Sequence, residues 1–206
     1  MPDQVVLIHG LAAKPWHMSF LGWQIKRSGF QVSYFRYPSW FKSIETHARN
    51  FCKFLERLIE NNPDSKIHIV AHSMGAIVTR QALLFQNFEA IQRVVLLAGP
   101  NLGSPAATRL SRYVPFSKTV KQIADTPHSL ANQLPGTIEN VEVGCVEASY
   151  DFVIPKPSSH LAGEKDHVCV FGGHNGLLVR PAAGRQIVHF LNHGSFQPVP
   201  VQEMVG

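Results

Sequence analysis

Apolar residues run along this chain in two rhythms. Short apolar stretches at residues 5–9, 31–35, 67–71, 93–97, 141–147 and 168–171 have strand length. Two of them, Val5-Val6-Leu7-Ile8 and Val94-Val95-Leu96-Leu97, show no alternation at all. Such strands are buried on both faces, which is the pattern of a parallel sheet covered by helices. Between the strands the apolar positions take a helical period. The clearest case is residues 43–61, where Ile44, Ala48, Phe51, Leu55, Leu58 and Ile59 share one face, Ser43 can cap the start and Pro63 lies past the end. Residues 16–28, opened by Pro15, residues 76–88 and residues 181–192, stopped by Gly194, complete the helical set. The reading is a single α/β domain over residues 1–194, with about six mostly parallel strands flanked by helices, and a loose tail over residues 195–206. The longest interval without a strand, residues 98–140, holds short helical stretches around 118–134 and makes a small lid or side wall at most, not a large cap domain.

The third strand runs directly into Ala71-His72-Ser73-Met74-Gly75, and a helix follows at once. A serine held between small residues on a sharp strand-to-helix turn is a nucleophile elbow. The flanks must be small because neighbouring backbone comes close; Ala71 stands where glycine is usual, and Gly75 meets the demand fully. The turn lifts the hydroxyl clear of the sheet. It also sets the next N–H, that of Met74, at a helix start, where free N–H groups favour negative charge. A second N–H aimed at the same oxyanion is expected from the loop after the first strand, His9-Gly10-Leu11-Ala12-Ala13, with Leu11 as the donor.

In an open parallel sheet, chemistry collects beyond the carboxyl ends of the strands. That rule sorts the partners of Ser73. Of the eleven histidines, His174 follows the sixth strand directly, after Gly172-Gly173. His160 is its rival, in a polar loop. His167 begins the sixth strand at the wrong edge, and His68 lies within a strand. His189 and His193 are four apart on the last helix, a spacing that suits a metal but has no third ligand in view. Asp151 comes just after the fifth strand, and Glu147, which ends that strand, is the second choice of acid. Asp3, Asp64 and Asp166 precede strands. The chain order Ser73, Asp151, His174 is the one this architecture uses. His72 and His9 read as structural neighbours. Asn101 and Ser104 read as turn formers. Trp16, Met18, Trp40 and Phe41 follow the first two strands and are the candidates to line a substrate groove.

Charge and composition narrow the picture. The net charge of +5 is mild and spread along the chain without a basic block, so nucleic acid is not an expected partner. Three cysteines, Cys52, Cys145 and Cys169, have no CxxC spacing; neither a disulfide framework nor a zinc site is expected. No apolar run is long enough to span a bilayer and no leader pattern opens the sequence, so stable membrane insertion is not expected and a cytoplasmic location is. The sequence carries no signal for oligomeric state.

Taken together, His9-Gly10, Ala71-His72-Ser73-Met74-Gly75, Asp151 with Val153 and Pro155, and His174 resemble the α/β-hydrolase superfamily, in its compact, capless lipase and esterase branch. The segment Gly99-Pro100-Asn101-Leu102-Gly103-Ser104-Pro105 is similar to one found after the fourth strand in small bacterial triacylglycerol lipases and acyl-lipid deacylases. The resemblance runs from about residue 4 to 193, and lacks two further strands that the family usually has at its N-terminus. It implies hydrolysis of a small-molecule or lipid ester through an acyl-enzyme, with Ser73, His174 and Asp151 as the triad and with neither cofactor nor metal. A thioesterase or acyltransferase with the same triad is the alternative, and a fold that has lost its activity is the non-enzymatic one.

Overall fold

The computed structural model of the chain describes residues 2–198. Its strands are β1 (Gln4–Ile8), β2 (Gln31–Phe35), β3 (Ile67–His72), β4 (Ile91–Leu97), β5 (Glu142–Ala148) and β6 (Asp166–Val170). They form one sheet in the order β2-β1-β3-β4-β5-β6, with every neighbouring pair parallel. Parallel neighbours need crossovers, and helices supply them. The helices are α1 (Ser19–Arg27), α2 (Ile44–Asn61), α3 (Met74–Phe85), α4 (Pro105–Ser111), α5 (Lys118–Gln122), α6 (Leu130–Gln133), α7 (Lys156–Ser159) and α8 (Pro181–His193).

The two-residue period of the strands sorts the core into two layers. Val5, Leu7, Val70, Val95, Leu97 and Val146 point to one face, where Leu21 and Ile25 of α1 and Ala183, Ile187 and Phe190 of α8 cover them. Val6, Ile8, Ile69, Ala71, Val94 and Leu96 point to the other, under Ala48, Phe51 and Leu55 of α2 and Ile77 and Val78 of α3. Both layers are closely packed apolar side chains, so the sheet makes its carboxyl-end rim a firm platform.

Several boundaries differ from the sequence reading, each for a local reason. The segment after Pro15 opens as a 3-10 turn, Pro15–Met18, before α1 begins. Helix α3 starts at Met74, directly after the serine, because the turn takes up no further residue. Helices α4 and α7 were not anticipated; both are short and begin at or beside a proline, which suits a first helical turn. Ser43 caps α2 as expected, accepting from the Thr46 N–H at 3.4 Å, and Gly194 ends α8 at φ 72°. The tail is tied down at its start. Phe196 is buried against Phe190, its N–H donates to Asp166 Oδ2 at 2.6 Å, and Gln197 N–H donates to Gln186 Oε1 at 2.8 Å. Periodicity gave no warning, since one buried aromatic in a polar stretch has no period. The remainder of the expected tail, from residue 199, lies outside the described residues.

Candidate active site

Ser73 stands at the junction of β3 and α3 with φ 54° and ψ −126°, a conformation that costs an L-residue on the order of 1–3 kcal/mol. Surrounding structure holds it there. Its N–H donates to Leu97 O at 2.9 Å, and its own carbonyl accepts from Ala76 N–H at 2.9 Å. Two glycines make room. A Cβ on Gly75 would stand 2.8 Å from Ile8 O and 2.9 Å from His9 O, so α3 can approach β1 only without one. A Cβ on Gly10 would stand 2.8 Å from Ser73 Cβ and 3.2 Å from its Oγ.

Beyond β6, His174 turns its ring towards this serine. The Ser73 hydroxyl lies 2.9 Å from His174 Nε2, and His174 Nδ1 lies 2.7 Å from Asp151 Oδ2. A proton on Nδ1 donated to the carboxylate leaves Nε2 as the acceptor for the serine hydroxyl. Asp151 serves two ends. Its Oδ1 accepts from Val153 N–H and Ile154 N–H, both at 2.8 Å, closing the turn after β5, while Oδ2 faces the imidazole. Burial pushes this carboxyl up, but the His174 contact and the two backbone N–H groups outweigh it and hold the group below the usual carboxylate range.

His72, beside the serine, is fully enclosed. Its Nε2–H donates to His174 O at 3.2 Å, and its ring packs on that of His174 at 4.9 Å. Burial, helped by the neighbouring His174, lowers its pKa to about 3, so it is a neutral strut under the histidine loop. The loop after β1 is held similarly. His9 stacks on Tyr37 at 4.4 Å, and the Tyr37 hydroxyl donates to His9 O at 2.5 Å. Leu11 from this loop lines the cleft beside the serine, and Met74 opens α3 directly after it, where N–H groups have no partner four residues back.

The site opens into a cleft of about 230 Å³. Ala106, Ala107, Leu110 and Ile123 form one wall, Val153 and Ile154 another, and Trp40 stands at the mouth. The 98–140 interval is therefore a side wall to the cleft. Of the four groove candidates, Trp40 alone lines it. Phe41 lies in the adjoining hollow with Trp40 and Phe116; Trp16 is on the surface, stacked on His17; and Met18 is wholly buried between α1 and the sheet, because the 3-10 turn points it inwards.

Some supports could not be found from the sequence. The Gly99–Pro105 segment clasps the Asp151 loop. Asn101 Nδ2 donates to Ser159 O at 2.8 Å, Ser104 Oγ to Val153 O at 2.8 Å, and Ser158 Oγ to Gly103 O. Asn101 is itself held by buried Arg80, whose guanidinium donates to Asn101 O, Leu134 O and Pro135 O. A serine or asparagine that braces a distant loop looks, in one dimension, like any turn former.

Residues 3–127 match the family described as "Putative serine esterase (DUF676)". The chain belongs to this family. The match spans β1, the elbow and the side of the cleft formed by Ala106, Ala107, Leu110 and Ile123. No curated protein matches it in sequence. Solved structures agree in fold. The mature form of lipase BlEst2 from Bacillus licheniformis superposes with a TM-score of 0.74 at 13% identity, over 94% of each chain. Lipase B from Aspergillus fumigatus gives 0.77 at 12% identity, over 93% of this chain and 53% of that one. The thioesterase domain from the curacin biosynthetic pathway gives 0.61 at 14% identity, over 93% and 91%. The chain has the α/β-hydrolase fold, with six strands in its sheet. No helix among its described residues is long and apolar enough to cross a membrane.

Proposed function

We propose that the protein hydrolyses carboxylic esters, with Ser73 as nucleophile, His174 as general base and then acid, and Asp151 as the group that fixes the imidazole tautomer. The observation that carries this reading is the continuous relay from Ser73 Oγ through His174 to Asp151, at 2.9 and 2.7 Å, with the serine already in its strained elbow. Ser73 Oγ attacks the ester carbonyl as its proton passes to Nε2. The imidazolium so formed is stabilised by Asp151, which is kept ionised. The N–H groups of Leu11 and Met74 receive the oxyanion, a role in which each donor typically contributes about 10²–10³-fold. His174 returns the proton to the departing alcohol. Water then attacks the acyl-enzyme by the same route and frees the acid.

The apolar walls of the cleft favour acyl chains of short to medium length, and Trp40 at the open mouth favours tolerance towards the alcohol. A panel of p-nitrophenyl esters of increasing chain length, run beside an acyl-CoA thioester, tests this. The expected result is turnover that peaks within the panel and exceeds that of the thioester. A thioester preference at every chain length contradicts the ester assignment. Absence of turnover throughout the panel, equal to that of Ser73→Ala, contradicts the enzymatic one.

A further inference from the structure

The histidines and the glutamate passed over for the triad meet elsewhere. Glu147 and His167 lie on adjoining strands, β5 and β6, in the register Cys145↔His167 and Glu147↔Cys169. The two-residue period puts all four side chains on one face of the sheet, with Glu147 diagonal to His167. The chain from residue 149 to 165 then folds back over that face and brings His160 and Glu164 down onto it. Glu147, His160 and His167 each offer an oxygen or nitrogen, and these atoms all lie within 4.8 Å of one another; among the described residues no other such trio is found.

We propose that Glu147, His160 and His167 form a binding site for a divalent zinc ion. Bound there, the ion would join the loop carrying Asp151 to strands β5 and β6.

Two imidazoles and a carboxylate are a donor set that zinc accepts. Two further observations point the same way. His167 Nε2 is enclosed, has no hydrogen-bond partner, and stands 3.5 Å from Glu147 Oε2. Glu164 lies 2.6 Å from His160 Nδ1 and 3.4 Å from His167 Nδ1, and for His167 that is the nitrogen opposite the one near Glu147. A carboxylate that accepts from the far N–H of a metal-bound histidine fixes the tautomer that leaves the near nitrogen free for the ion. The position already attracts a cation, because the Lys156 ammonium stands 3.5 Å from Glu147 Oε1. Lys156 is exposed and can leave. His160 is half-exposed and stacks on His167 with ring centroids 3.7 Å apart and planes 15° from parallel. Nearly parallel rings cannot both aim at one ion, so His160 must tilt on binding, which its exposure allows. Water completes the coordination.

The proposal is independent of the esterase reading, and Ser73→Ala protein should bind zinc as the wild type does. The full chain, stripped with a chelator, is titrated with zinc chloride by calorimetry and by thermal unfolding. The expected result is one equivalent bound and a Tm that rises with zinc concentration. His160→Ala, at a surface position that spares the fold, should weaken binding at least tenfold. Glu164→Gln should weaken it about 10–100-fold. His189→Ala with His193→Ala, which removes a close pair of histidines on α8, should leave it unchanged. Equal binding by His160→Ala and wild type, loss of binding in the His189/His193 double variant, or no zinc-dependent change in Tm each overturns the site.

Discussion

Two histidine–carboxylate clusters share the loop after β5, and they are built differently. In one, the Asp151 and His174 side chains are only 3% and 12% exposed, and the imidazole reaches a strained serine at the floor of the cleft. In the other, Glu147 is equally enclosed but His160 is 50% exposed, two carboxylates face two imidazoles, and no serine stands on an elbow beside them. Both place a ring nitrogen near a carboxylate. What separates them is the third member and the supply of water. A neutral imidazole aimed at a hydroxyl can accept its proton; an imidazole pair with excess carboxylate and an open side invites a cation.

The comparison can be broken most severely at the nucleophile. Ser73→Ala should lower kcat for a p-nitrophenyl ester by about 10⁴-fold or more while thermal unfolding stays cooperative. Asp151→Asn should come next, with a fall of about 10³–10⁴-fold, because the amide no longer enforces the Nδ1–H tautomer or stabilises the imidazolium. Ester turnover of each purified variant measures both.

Burial beside the first cluster also has an acid-stability consequence. His72 is held neutral down to about pH 3, whereas in the unfolded chain it takes up a proton below about pH 6.5. Between those values the unfolded state binds more protons. Stability therefore falls as pH drops through this window, by up to about 1.4 kcal/mol per pH unit from this residue. Burial lowers His9, His47 and His68 as well, so they add with the same sign. Urea unfolding over this range should show a shallower pH slope for His72→Asn than for wild type, and equal slopes would count against His72 as a buried neutral strut. The smallest effect is expected in the second cluster. His160→Ala should leave ester turnover in metal-free buffer within about twofold of wild type, since the ring is exposed and belongs to the other cluster; a loss comparable to that of Asp151→Asn would merge the two clusters into one site.

Much of this was legible in one dimension, and the reason is physical. Uninterrupted apolar strands and the 3.6-residue stripe of α2 each follow from burial, which leaves a periodic trace. The rim of a parallel sheet then ranks strand-end residues, so Ser73, Asp151 and His174 could be chosen from many polar candidates, and the structure brings them together. What escaped notice leaves no period. Arg80 braces three carbonyls from inside an apolar helix, Ser158 and Asn101 tie two loops, and Phe196 anchors a polar stretch. Met18 failed as a groove residue because a 3-10 turn turned it inwards. Taken singly, His160, His167 and Glu147 carry no metal signal, because they meet only across a strand register that the sequence does not display.

The central claim is that the Ser73 hydroxyl is activated by His174 and Asp151. Incubation with a fluorophosphonate, followed by peptide mass spectrometry, tests it directly. A single adduct on Ser73 is expected, formed in step with the loss of ester turnover and slowed greatly in Asp151→Asn. Full turnover persisting after stoichiometric labelling, or an adduct on any other residue that accounts for the inactivation, would contradict it.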